Sequence, residues 1–194
     1  MGYWVLVIFW ASFYFLHSVF ADMKIKRKFK GWLGPKFIWY RLLYSLFATI
    51  HFLGIFVFTG TLQEIPIFAT FPLASYFGYM LATFGTIILV KSFQKLSPFE
   101  FIGFSPSDEF TKADRLVVSG LHAHVRHPIY SALILIFVGY TLVQPMPSSM
   151  IHLGMLIIYL PIGIYLEEKK LIEKFGQAYI DYKKKIPALI PRKK

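Results

Sequence analysis

Five stretches of this chain carry no charged side chain: Gly2 to Ala21, Leu42 to Gly60, Pro72 to Val90, Pro128 to Val143 and Met150 to Leu166. A bilayer's hydrocarbon core is about 30 Å thick and takes roughly 20 residues of helix to cross. Inside it every backbone amide has to be satisfied within its own segment, so these runs read as transmembrane helices. The fourth and fifth are the shortest. The fold class that follows is all-α: an integral membrane bundle of about five transmembrane helices, with a long polar connection after the third and an amphipathic helix at the C-terminus. The first run is kept as a permanent span, because a signal peptide carries its cations before the apolar run and here they follow it, at Lys24, Lys26, Arg27, Lys28 and Lys30.

The placement of the 21 lysines and arginines gives an orientation. Seven lie between spans one and two, five between spans three and four, and nine after span five. The connections around Gln63 to Phe71 and Gln144 to Ser149 have none. Cytoplasmic loops retain lysine and arginine, so the C-terminus and the basic segments are expected in the cytoplasm and the N-terminus outside. The membrane would be the cell membrane in a prokaryote or the endoplasmic reticulum in a eukaryote. A net charge of +11 spread between apolar runs points to anionic lipid headgroups and away from nucleic acid. With no cysteine there is no disulfide framework, thiolate nucleophile or cysteine-ligated metal. Oligomeric state is left open.

Ala74, Gly78 and Ala82 form a small-residue stripe on span three, suited to close helix–helix approach. The Gln144-Pro-Met-Pro-Ser-Ser149 turn folds spans four and five into an antiparallel hairpin and brings Arg126 to Tyr130 beside Glu167 and Glu168. The connection from Ser92 to Val125 is broken by Pro98, Gly103, Pro106 and Gly120. Its phenylalanines, Phe93, Phe99, Phe101, Phe104 and Phe110, suit a segment that packs or dips into the interface. Beyond span five, Leu171, Phe175, Ala178, Tyr179 and Tyr182 recur at helical spacing opposite the lysines, which predicts one amphipathic helix over Glu167 to Lys185. Interfacial anchoring would account for it equally well.

Arg126-His127-Pro128-Ile129-Tyr130 opens span four with proline at the first turn, where no helical amide partner is lost. That helix start, reinforced by Arg126, reads either as an anion site or as an arginine reaching headgroups beside a packing histidine. Glu167 and Glu168 close span five, where the helix dipole disfavours carboxylates, so they are either a solvated pair answered by Lys169 to Lys174 or acceptors for a bound cofactor. His122, His124 and His127 have the spacing of a metal site but lack further cytoplasmic histidines; no metal is expected. His17, His51 and His152 lie in spans and are expected as neutral groups bonded to neighbouring helices. No glycine-rich strand-to-helix turn and no serine or lysine constellation for nucleophilic catalysis is present.

Leu116-Val117-Val118-Ser119-Gly120, Arg126-His127-Pro128-Ile129-Tyr130, Glu167-Glu168, Phe175-Gly176, Tyr179, Tyr182 and Pro187 together resemble the isoprenylcysteine carboxyl methyltransferase family over roughly Lys112 to Pro191. The series is shared with phospholipid N-methyltransferases and, more loosely, with NADPH-dependent membrane sterol reductases. The resemblance implies one membrane domain over residues 1–194: three spans over 1–91, then a cofactor-binding loop, helical hairpin and C-terminal helix over 92–194. It implies S-adenosyl-L-methionine as cofactor, bound by Arg115, Leu116, Val117, His122, His127, Pro128, Ile129, Tyr130, Glu167 and Glu168, with Arg126 and Glu167 as catalytic residues. The implied acceptor is lipid-like, most simply the carboxylate of a prenylated cysteine, which needs no general base. Two residues depart from the pattern: His122 stands where relatives often have tyrosine, and Gly163 where eukaryotic members carry an arginine implicated in substrate binding.

Overall fold

The structure is a computed structural model and describes residues 2–93, 103–104 and 115–192. Its helices are α1 (Gly2–Ala21), α2 (Met23–Leu33), α3 (Tyr40–Thr59), α4 (Pro72–Phe93), α5 (Pro128–Val143), α6 (Pro147–Phe175) and α7 (Gln177–Lys185), with 3-10 turns at Gly34–Trp39 and Gly120–Ala123. There is no strand among the described residues. The stretches containing α1, α3, α4 and α6 are each long and apolar enough to cross a membrane. At 16 residues α5 is shorter, about 24 Å at the helical rise. Apolar side chains such as Trp4, Ile50, Val57, Leu73, Met80 and Phe84 point outward, as lipid-facing positions require.

The chain leaves α1 through Asp22, whose Oδ1 accepts the amides of Lys24 (2.8 Å) and Ile25 (3.1 Å) and so starts α2 at once. The cationic segment between the first two spans is therefore a helix. It lies against the far end of α6, where Arg27 pairs with Glu173 at 2.6 Å. The Tyr40 hydroxyl donates to the Phe20 carbonyl at 2.8 Å and holds the start of α3 to the end of α1. At the opposite end the Glu64 carboxylate accepts the amide of Ser148 (2.9 Å) and its hydroxyl (2.6 Å). A negative charge there complements the N-terminal end of the α6 dipole. Ile67 also donates to the Pro145 carbonyl at 2.8 Å. The two cation-free connections thus share one end and the basic segments share the other, matching the partition of lysine and arginine.

Helix α4 lies on α5 with backbone almost touching backbone. A Cβ on Gly139 would stand 2.5 Å from the Gly78 carbonyl oxygen and 2.8 Å from the Ala82 amide nitrogen. The expected stripe at Gly78 and Ala82 is the contact, and Gly139 of α5 with Gly85 of α4 completes it. The central core joins α1, α3, α5 and α6 through Leu6, Trp10, Ile55, Phe137, Leu156 and Leu160. At its centre the Trp10 indole donates to His152 Nδ1 at 2.7 Å. That fixes the proton on Nε2, 3.3 Å from Thr59 Oγ1, and the Thr59 hydroxyl donates onward to the Ile55 carbonyl at 2.9 Å. His17 meets Tyr44 OH at 2.7 Å and His51 meets Ser12 Oγ at 3.2 Å. All three histidines within spans bond to a neighbouring helix, as expected.

Two expectations change. Helix α6 does not end at Glu167 but runs on to Phe175, and Gly176, at φ 56°, breaks the expected single helix and turns the chain back into α7. Tyr179 and Tyr182 are consequently buried in protein instead of lying on lipid. Of the long connection, Phe99, Phe101 and Phe110 lie outside the described residues, while Phe104 is exposed. Gly103, at φ 94°, passes so close to α3 that a Cβ would meet the Leu42 nitrogen at 2.5 Å. Overpacking a close contact costs about 1–3 kcal/mol, so Gly139→Ala should lower the melting temperature in detergent. Gly154→Ala, placed in open space on α6, should not, and equal melting of the two would contradict the backbone contact.

Candidate active site

The turns entering α5 and the portion of α6 beyond Leu166 meet at the basic end of the bundle. Pro147 to Leu166 spans about 30 Å of helix rise, so Glu167 and Glu168 emerge at the membrane boundary. Glu168 is buried, its side chain 6% exposed. Its Oε1 takes Arg126 Nε at 2.8 Å and Nη2 at 2.6 Å, and His127 Nε2 lies 3.2 Å away. Its Oε2 takes Lys183 Nζ of α7 at 2.6 Å. Burial pushes this carboxyl up, but the Lys183, Arg126 and His127 hydrogen bonds outweigh burial and hold it down at about 2. One carboxylate therefore fastens α5, α6 and α7 together.

Arg126 makes further bonds to the backbone. Its Nη1 donates to the Lys183 carbonyl at 3.2 Å and to the Ile186 carbonyl. The extended segment after α7 then runs along the start of α5: the Arg126 amide donates to Pro187 O (2.9 Å), the His127 amide to Ala188 O (3.0 Å) and Ser131 Oγ to Leu189 O (2.7 Å). The amides of Arg126 and His127, which precede the first turn of α5, and the guanidinium thus have protein partners. The dipole argument for Glu167 and Glu168 is corrected, because α6 continues two turns past them.

His127 is buried between both carboxylates, with Nδ1 3.4 Å from Glu167 Oε2. A carboxylate only accepts, so both contacts are hydrogen bonds only when the ring carries both protons. The Glu167 side chain is 46% exposed and faces the Tyr130 hydroxyl. His122 sits in the 3-10 turn, its carbonyl accepting the Tyr182 hydroxyl at 2.6 Å. Burial pushes the His122 imidazole down, with neighbouring Glu167 opposing and His127 adding to the shift. Burial likewise pushes the Tyr182 hydroxyl up to about 12. The buried Tyr179 hydroxyl lies beside Arg126 and Glu168.

Of the residues singled out in the sequence, Arg126, His127, Tyr130, Glu167 and Glu168 converge, with His122 adjacent. Pro128 and Ile129 form the first turn of α5 beneath them. Arg115, Leu116 and Val117 lie on the segment before the 3-10 turn, Arg115 exposed and the other two half-buried, and no hydrogen bond among the described residues ties them to the cluster. His122, His124 and His127 form no metal-holding group among the described residues. Sequence reasoning missed Lys183, Ser131 and the carbonyls of Pro187 to Leu189. Lys183 is one of three adjacent lysines, and only the fold separates it from Lys184 and Lys185.

Residues 73–178, from the start of α4 into α7, match the phospholipid methyltransferase family. The chain belongs to that family. It is the wider group of membrane methyltransferases into which the sequence resemblance falls, and the matched stretch contains both the Arg126-His127-Pro128 turn and the glutamate pair. Methanethiol S-methyltransferase 1 of Bradyrhizobium diazoefficiens is 26% identical over 188 residues, covering 93% of this chain and 64% of the relative. Methanethiol S-methyltransferase of Crocosphaera subtropica is 26% identical over 189 residues, covering 90% and 69%. The chain thus spans about two thirds of the length of these relatives. No solved structure matches it.

Removing one partner of a buried ion pair costs about 3–5 kcal/mol. Glu168→Ala should accordingly lower the melting temperature sharply, whereas Glu173→Ala, from the half-exposed Arg27 pair, should cost under about 1 kcal/mol. Equal losses would contradict the clamp.

Proposed function

We propose that the protein is a membrane methyltransferase that moves a methyl group from S-adenosyl-L-methionine to an acceptor reaching the site from the bilayer. The observation that carries this reading is Glu167: a half-exposed side chain, its carboxylate against His127 and Tyr130, beside the Arg126–Glu168–Lys183 clamp, in a chain of this family. The residues fit the donor. Its amine and ribose hydroxyls are hydrogen-bond donors suited to a carboxylate such as that of Glu167. Half-buried Leu116 and Val117 suit an adenine face. Once bound, the cofactor supplies a methyl already activated by its sulfonium.

The protein's own work is then alignment and exclusion of water, and approximation of this kind is worth roughly 7–11 kcal/mol. His127 and Tyr130 hold Glu167 in place, and Arg126 locks the segment after α7 across the start of α5. Arg126 accordingly acts as a positioning residue. Two acceptors accord with this reading. The sequence resemblance favours the carboxylate of a prenylated cysteine or an analogue, for which no base is needed; the names of the two relatives favour a thiol. The basic end faces the cytoplasm, on the lysine and arginine partition.

Calorimetric titration with S-adenosylhomocysteine should show saturable binding, and NADPH none. A hydrogen bond to a charged group is worth about 1.5–3 kcal/mol, so Glu167→Gln should weaken that binding about tenfold or more with an unchanged melting temperature. Undiminished binding by Glu167→Gln, or binding of NADPH alone, would overturn the reading.

A further inference from the structure

The segment that follows α7 makes one contact that lies outside the clamp. Ile186 leaves the helix in extended backbone, at φ −113° and ψ 130°, and the carbonyls of Ile186 to Leu189 then all accept hydrogen bonds from the start of α5. The first three are taken by Arg126 and His127. The fourth is taken by Ser131, whose Oγ reaches Leu189 O at 2.7 Å. Residues 186–189 are half-buried and Ile190 is 77% exposed, so among the described residues this bond is the last tie before the segment leaves the bundle. Ser131 stands one turn along α5 from His127, and its amide bonds the His127 carbonyl at 3.2 Å. The segment is thereby held at two levels of α5, separated by about 5.4 Å, the pitch of one turn.

One attachment would let an extended segment pivot, and two fix its direction along the helix. His127 depends on that direction. It caps α5 without a side-chain hydrogen bond, and Pro128, next in the chain, has no amide to offer. The His127 backbone is therefore held from outside, by Ala188 O at 3.0 Å, while its ring lies between Glu167 and Glu168. A segment held by few bonds opens first from its exposed end. Loss of the Leu189 tie would let it peel back toward Ala188 and release the His127 backbone. We propose, resting on the methyltransferase reading, that Ser131 is a positioning residue for cofactor binding: it keeps residues 187–189 against α5 and so keeps the His127 ring against Glu167. No hydrogen bond among the described residues joins Ser131 to either carboxylate, so its effect passes through the segment.

The test measures saturation binding of S-adenosylhomocysteine to the whole chain in detergent, with melting temperature and hydrogen exchange recorded for each variant. Ser131→Ala should weaken binding by about threefold to tenfold, the span expected for one hydrogen bond. It should also quicken exchange in peptides covering residues 186–190 and leave the melting temperature unchanged. Ser131→Thr, which keeps the hydroxyl, should return both binding and exchange to their wild-type values. Quickened exchange with undiminished binding in Ser131→Ala, or unaltered exchange at residues 186–190, would overturn the proposal, and so would a Ser131→Thr variant that behaves as Ser131→Ala does. Wild-type protein that binds no S-adenosylhomocysteine would remove the methyltransferase reading beneath it, whatever the exchange shows.

Discussion

The buried carboxylate of Glu168 is the constraint on which the functional end of the molecule depends. An ionised group at 6% exposure needs compensation, and it draws Arg126 from the start of α5 and Lys183 from α7 to within 2.6 Å. Those two attractions fold the chain after Gly176 back over the bundle and bring Pro187 to Leu189 against α5. Glu167, one residue earlier, instead faces His127 and Tyr130. Adjacent glutamates thus differ: one is buried and ties three helices together, the other keeps a half-exposed side chain.

The membrane portion is held by a different balance. Lipid offers no hydrophobic preference for helix over hydrocarbon, so association rests on close packing and interhelical hydrogen bonds. Gly78, Gly85 and Gly139 provide the first, with α4 and α5 in backbone contact. The Trp10–His152–Thr59 chain provides the second, satisfying an imidazole at the core from both sides.

Much of this arrangement was legible in the residues. Apolar runs located the spans, and the proline-rich turn after Gln144 joined Arg126 and His127 to the glutamate pair. The Ala74-Gly78-Ala82 stripe marked one side of the α4–α5 contact, while its counterpart, Gly139, is a lone glycine whose role needs the partner helix. The extension of α6 to Phe175 was hidden because Glu167 ends the apolar run without ending the helix: hydropathy changes at the membrane surface, whereas helix geometry stops at Gly176. The closure of the α5 start by the C-terminal segment was equally hidden, since backbone carbonyls leave no side-chain pattern.

Hydrogen exchange, measured by mass spectrometry on the detergent-purified protein with and without S-adenosylhomocysteine, tests most directly that this clamp is where the cofactor binds. The account predicts slowed exchange in peptides covering residues 115–131 and 167–189, with the opposite end around Glu64 and Ser148 unchanged. Protection confined to that opposite end, or no protection at saturating ligand, would contradict it.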